Sequence, residues 1–128
     1  MVEHAIPAGG LSEAIVLKNW TGRGDNQRKN DNSKSSVSGS LSIPTLGFRK
    51  CDIINASFSA GAYSSGSFTI QGIGSMSGSH KYSKTESYPA VDVSGMAEIS
   101  ISYSGTVDAN YGYASEVVAH IDSIRLYN

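Results

Sequence analysis

The 128-residue chain has a single cysteine, Cys51, so no disulfide can close within it and its stability has to come from packing. A lone thiol in such a sequence reads as a small core residue rather than a redox or metal group. Excess charge of either sign is also missing: 10 Lys and Arg stand against 11 Asp and Glu, a net charge of −1. No field of that size gathers phosphates or an anionic membrane, which argues against nucleic acid as a main partner. No apolar run approaches the roughly 20 residues needed to cross a bilayer. The opening MVEHAIPAGG has neither a basic segment nor a long apolar one, so it does not read as a secretory signal, and synthesis in a host cytoplasm is the expectation. The three histidines, His4, His80 and His120, are far apart, without metal-ligand spacing or a glycine-flanked serine elbow nearby.

What the chain does have is serine, 14 glycines and a side-chain period of two. In AEISISYSG, Ala97, Ile99, Ile101 and Tyr103 share one face, and Glu98, Ser100, Ser102 and Ser104 share the other. That is the pattern of a half-buried antiparallel strand. SVSGSLSIP repeats it, with Val37, Leu41 and Ile43 inward, Ser38, Ser40 and Ser42 outward, and a stop at Pro44. CDIINASFSA sets Ile54, Ala56 and Phe58 against Asn55, Ser57 and Ser59, while SFTIQGI offers Phe68 and Ile70 before Gly72 and Gly74 weaken it. Ala90 to Val93 forms a short strand that turns at Ser94 and Gly95. LSEAIVLKNW is apolar on both faces through Ile15, Val16 and Leu17, as a doubly covered strand or an interface strand would be. Seven or eight strands about ten residues apart predict one all-β domain over residues 1–128, an antiparallel sandwich or small barrel, with a single antiparallel sandwich as the expectation.

Two segments stand out. In the last strand Val117, Ala119 and Ile121 have one parity and Ile124 and Leu126 the other, so either a bulge at Asp122 or Ser123 resets the register or a neighbouring subunit covers the second face. The stretch TGRGDNQRKNDNSKSS, residues 21–36, has no large apolar residue and reads as a long polar loop or arm, with Arg23, Asp25, Arg28 and Lys29 available to a partner. Its RGD tripeptide is short enough to arise by chance.

The acids are scattered singly, so no carboxylate pair for glycoside hydrolysis identifies itself. His120 and Asp122 share a strand face, but in a chain this rich in serine a triad is easily imagined, and the expected answer is no enzyme. GIGSMSG, Gly72 to Gly78, lacks the Lys and the helix of a phosphate cradle and reads as a loop between strands. Aromatics say more: Trp20 closes the first strand, and Tyr63, Tyr82, Tyr88, Tyr111 and Tyr113 lie in or beside expected loops. Sugars bind to aromatic faces supplemented by polar side chains. Trp20, Asp108, Asn110, Tyr111 and Tyr113 are therefore the candidate ligand set, set against the plainer reading that the tyrosines plug the ends of the sandwich.

YPAVDVSGMAEISISYSG followed by VVAHIDSIRLYN resembles the closing half of jelly-roll domains of the galactose-binding and carbohydrate-binding-module type, over about the last 40 residues. It also resembles small β-sandwich proteins of phages and phage-derived particles. The resemblance implies a non-catalytic jelly roll built for attachment, which binds glycan through end loops or a sheet face. Some members hold structural calcium, but the available oxygens of Asp25, Asp31 and Asp108 identify no site, so no cofactor and no metal is expected. The function expected is a structural or attachment protein of a phage or phage-like particle, held by other virion proteins and by its own copies. The alternative is a module that recognises cell-surface or cell-wall glycan.

Overall fold

The computed structural model describes residues 12–26, 33–109 and 115–128. Eight strands occupy most of them: β1 Glu13–Asn26, β2 Ser33–Pro44, β3 Lys50–Ala60, β4 Ser65–Ile70, β5 Gly74–Ser79, β6 Tyr82–Asp92, β7 Glu98–Ala109 and β8 Ser115–Tyr127. Among the described residues there is no helix. Two four-stranded sheets, ordered β1-β8-β3-β6 and β2-β7-β4-β5, face each other. β1 pairs with β8, β2 with β7, β3 with β6 and β4 with β5, all antiparallel, as one long ribbon folded at its middle would pair. Rolling that ribbon adds the β3–β8 and β4–β7 pairings and closes both sheets. This is the strand order of a jelly roll.

Between the sheets Phe58 of β3 and Phe68 of β4 meet at 6.5 Å, surrounded by Ile53, Ile70, Ile99, Ile101 and Ile121, all at most 1% exposed. Cys51 belongs to this core at 0% exposure, and burial pushes its thiol pKa up to about 12.

The parity break in β8 is resolved within the sandwich. Val117, Ala119, Ile121, Ile124 and Leu126 are all 0% exposed, because Asp122 and Ser123 both turn away from the core. β3 breaks at the same level, where Ile54 and Asn55 both point out and Ile54 pairs with Ser123. Ile54 is thus 38% exposed, and Ile53 takes the core position that plain alternation assigns to it. The two breaks match, so the β3–β8 ladder runs through them without slipping. Asn19 (φ 53°) on β1 and Asn55 (φ 51°) on β3 take left-handed backbone at the level of Asp122, so a crease crosses β1, β8 and β3, while Ala90 (φ 52°) on β6 takes it beside Asp52.

Other segments also depart from the sequence pattern. Residues 21–26 are the end of β1 and 33–36 the start of β2, so they are not part of a long arm. The missing apolar side chains there are not a sign of a loop. Gly22 and Gly24 face inward because Tyr103 and Val37 already fill that space, and a Cβ at either glycine would collide with them. Arg28 and Lys29 lie outside the described residues. Gly72 to Gly78, expected as a loop, lies mostly in β5 (Gly74–Ser79), where Met76 reaches the core at 3% exposure. Tyr82 opens β6 beside a turn, as expected, but Tyr88, expected in or beside a loop, lies well inside that strand, which is much longer than the predicted Ala90–Val93 strand.

Candidate ligand-binding end of the sandwich

At one end of the sandwich the turn between β3 and β4 meets the turn between β5 and β6. The Gly61 amide donates to Glu116 O (2.9 Å), the Lys81 amide to Gly61 O (3.2 Å) and the His80 amide to Ser64 O (2.8 Å), which ties both turns to the start of β8. The buried hydroxyls of Ser64 and Ser115 are 2.7 Å apart, and Ser115 Oγ also donates to Ala62 O at 2.7 Å. On this rigid base Tyr63 (φ 59°), His80 (φ 51°) and Lys81 (φ 60°) all take left-handed backbone, although none is glycine. Such conformations each cost on the order of 1–3 kcal/mol and persist where the surroundings over-determine them.

The Tyr63 and His80 rings lie 5.4 Å apart at 54°, and the Tyr63 amide donates to His80 Nδ1 at 3.2 Å. With Nδ1 accepting, a neutral imidazole carries its proton on Nε2. Tyr63, His80, Lys81 and Ala62 line a hollow of about 220 Å³, and Tyr63 is 40% exposed. An aromatic ring, a histidine and a lysine thus border one small hollow between the two turns.

The residues singled out from sequence fall in different places. Trp20 points into the sandwich, stacked on Phe68 at 6.1 Å and edge-on to Tyr103 at 6.3 Å, because β1 turns it inward just past the crease. Its ring belongs to the packing and does not project for a ligand. Asp108 is 8% exposed, and its Oδ1 has no hydrogen-bond partner among the described residues. Arg23 is on the outer face of β1 in an ion pair with Glu116, and Asp25 is exposed on the same strand. Asn110, Tyr111 and Tyr113 lie outside the described residues. Of the residues in the hollow, Tyr63 is among the loop tyrosines of the sequence, whereas nothing local marks His80 or Lys81: left-handed backbone is the habit of Gly and Asn.

A second polar cluster crosses the outer face of the other sheet. Thr21 Oγ1 and His120 Nδ1 are 2.7 Å apart, His120 Nε2 and Asp122 Oδ1 are 2.7 Å apart, and Asn55 Nδ2 donates to Asp122 Oδ2 at 2.8 Å. The Asn55 amide, then His120, hold the Asp122 carboxyl below the usual carboxylate range. Hydroxyl, imidazole and carboxylate thus stand in line, each on a different residue of the crease. Among the described residues no group of His, Cys, Asp and Glu is placed to hold a metal ion.

The strand order describes a jelly-roll β-sandwich with a small hollow between the turns at one end. No family model matches the chain, and no curated protein matches it. Among solved structures it is similar to a family 61 carbohydrate-binding module in complex with β-1,4-galactotriose (14% identity, TM-score 0.38, covering 74% of this chain and 63% of that one). It is also similar to a family 36 carbohydrate-binding module of a multidomain xylanase from the hindgut metagenome of Trinervitermes trinervoides (16% identity, TM-score 0.32, covering 91% and 97%). A third likeness is to VP2 of infectious bursal disease virus in a subviral particle (6% identity, TM-score 0.31, covering 91% and 32%). The chain spans less than two thirds of the first and about a third of the last. At these scores the likenesses concern general architecture alone.

Proposed function

We propose that the chain is a non-catalytic attachment module that recognises saccharide at the loop end of its sandwich. The observation that carries this is the hollow of about 220 Å³ in which Tyr63, His80 and Lys81 converge on strained backbone. An aromatic face takes the C–H surface of a sugar ring, and the imidazole and ammonium take its hydroxyl or carboxylate oxygens. The Thr21–His120–Asp122 line is read as cross-strand bonding, since it holds three positions of the sheet crease together. A soluble glycan array with the wild type and Tyr63→Ala and Lys81→Ala variants tests the reading. We expect selective binding that falls at least tenfold in either variant. Absence of any bound glycan, or binding indifferent to both substitutions, refutes it.

A second reading is a structural component of a phage or phage-like particle, in which copies of the chain associate. Ile15, 64% exposed on edge strand β1, and Leu46, 52% exposed in the β2–β3 turn, favour it. Light scattering after size exclusion tests it, with Ile15→Asp expected to shift an oligomer toward monomer. The core placement of all five apolar residues of β8 removes one reason for invoking a covering subunit.

A further inference from the structure

The outer face of the sheet β2-β7-β4-β5 carries hydroxyls in register across all four strands. One row is Ser36, Thr106, Ser65 and Ser79, given by the pairings Ser36↔Thr106, Ser65↔Thr106 and Ser65↔Ser79. The next is Ser38, Ser104, Ser67 and Ser77. The third is Ser40, Ser102, Thr69 and Ser75. Sheet geometry spaces the hydroxyls about 4.8 Å apart within a row and about 6.7 Å between rows. Ser67 and Thr69 are half-buried and the other ten are exposed. Among the described residues none of the twelve hydroxyls has a side-chain partner, whereas just beyond the third row Ser42 already donates to Glu98 at 3.0 Å. A shallow trough of about 310 Å³ lies over the centre of the array, lined by Ser38, Ser40, Ser67, Ser102 and Ser104 together with Gly39 and the core residue Tyr103.

We propose that this hydroxyl lattice is a second binding face, and that its ligand is the surface of an insoluble, uncharged polysaccharide. Each alternative occupant lacks something that this face would have to provide. A protein partner needs aromatic, aliphatic or arginine anchors at the centre of its interface, and the three rows contain none. Nucleic acid and anionic lipid need Lys or Arg, also missing from the rows. A second copy of the chain needs about 800 Å² per partner, whereas an array of this spacing offers on the order of 400 Å². A polymer that itself presents ordered hydroxyls remains, because every serine or threonine both donates and accepts. A single such bond is weak in water, so a mobile oligosaccharide gains little. A rigid sheet meeting a rigid lattice engages many at once, without the ordering cost that a flexible ligand carries. The inference is independent of the loop-end hollow.

The test is depletion from solution by microcrystalline cellulose, chitin and insoluble β-1,3-glucan, run beside soluble oligomers of the same linkages and an ice-recrystallisation assay. We expect at least one solid to retain the protein and the matching short oligomers to bind at least tenfold more weakly. Ser104→Lys and Ser38→Lys, folded by their melting curves, should lose at least tenfold in retention. Ser104→Thr, which keeps a hydroxyl, and Ser59→Lys on the other sheet should not. Retention by none of the solids overturns the proposal, as does retention unchanged by both lysine substitutions. So does retention abolished by Tyr63→Ala alone, which assigns it to the loop end. Arrest of ice growth without retention on any solid also overturns it, and assigns the lattice to ordered water.

Discussion

Asn55 donates its side-chain amide to Asp122 at the level where β3 and β8 each turn two successive residues outward, so one hydrogen bond of 2.8 Å spans the two breaks. Asn55 also holds φ at 51° and bonds to Ser87 from both its backbone amide and its side-chain oxygen. Asn55→Gly loses the side-chain bonds but keeps the backbone, and should cost about 1 kcal/mol. Asn55→Ala adds left-handed strain and should cost about 2 kcal/mol. Chemical denaturation distinguishes the two; equal losses would show that the crease does not depend on Asn55's backbone.

Tyr103 occupies the space that a side chain at Gly22 would need, and its hydroxyl reaches Arg23 O at 3.4 Å. Gly22→Val should therefore destabilise by about 1–3 kcal/mol, as overpacking does. Combined with Tyr103→Leu the penalty should be less than the sum of the two, because both changes act on one space.

Acid should weaken the fold through Asp52. Its carboxyl is held below the ordinary range, first by the Ala90 amide at 2.7 Å, then by Arg125 at 2.7 Å and Tyr127 at 2.8 Å. A depressed folded pKa contributes stability that is present above the unfolded value of about 3.9 and is lost as pH falls through the folded one. Melting temperatures should decline below about pH 4, and Asp52→Asn should flatten that decline while costing about 1–2 kcal/mol at neutral pH. A decline just as steep in Asp52→Asn would assign the acid sensitivity to other carboxyls.

Cys51 should be silent toward thiol reagents at pH 8 in the folded protein. It is fully buried with its thiol pKa pushed up to about 12, mainly by burial and also by the neighbouring Asp52 charge, and the reactive species is the thiolate. Labelling followed by mass spectrometry should show modification only as denaturant unfolds the chain.

Lys81→Gly separates ligand binding from folding. Glycine accepts φ 60° without strain but gives up chain entropy on folding, so stability should stay within about 1 kcal/mol of wild type. Saccharide binding at the loop end should nevertheless fall, because the ammonium is gone. Unchanged binding would exclude Lys81 from the site.

Much of this was legible along the chain. The alternation in β7 assigned Ile99, Ile101 and Tyr103 to the core and Ser100, Ser102 and Ser104 to the outside, because the pleat of a strand is a local property. The parity of Val117 and Ile124 likewise announced a break near Asp122. The polar run 21–36 misled, because an inward glycine looks like a loop residue until the side chain that covers it is known, and Tyr103 lies some 80 residues away. Trp20 misled for a related reason: a tryptophan at the edge of a polar stretch is turned into the core by an irregularity at Asn19 that no local pattern records.

The sequence by itself determined the class of fold, most of the core and the polar character of the outer serines, all consequences of a two-residue period. Only the tertiary structure decided which distant residues share a row or a hollow. Ser38, Ser104, Ser67 and Ser77 stand side by side because four strands pair in one register, and Tyr63 meets His80 because the β3–β4 and β5–β6 turns close the same end of the sandwich. Lateral register is set by long-range pairing and by the packing of one sheet on the other, and the alternation within a single strand is the same whichever partner lies beside it.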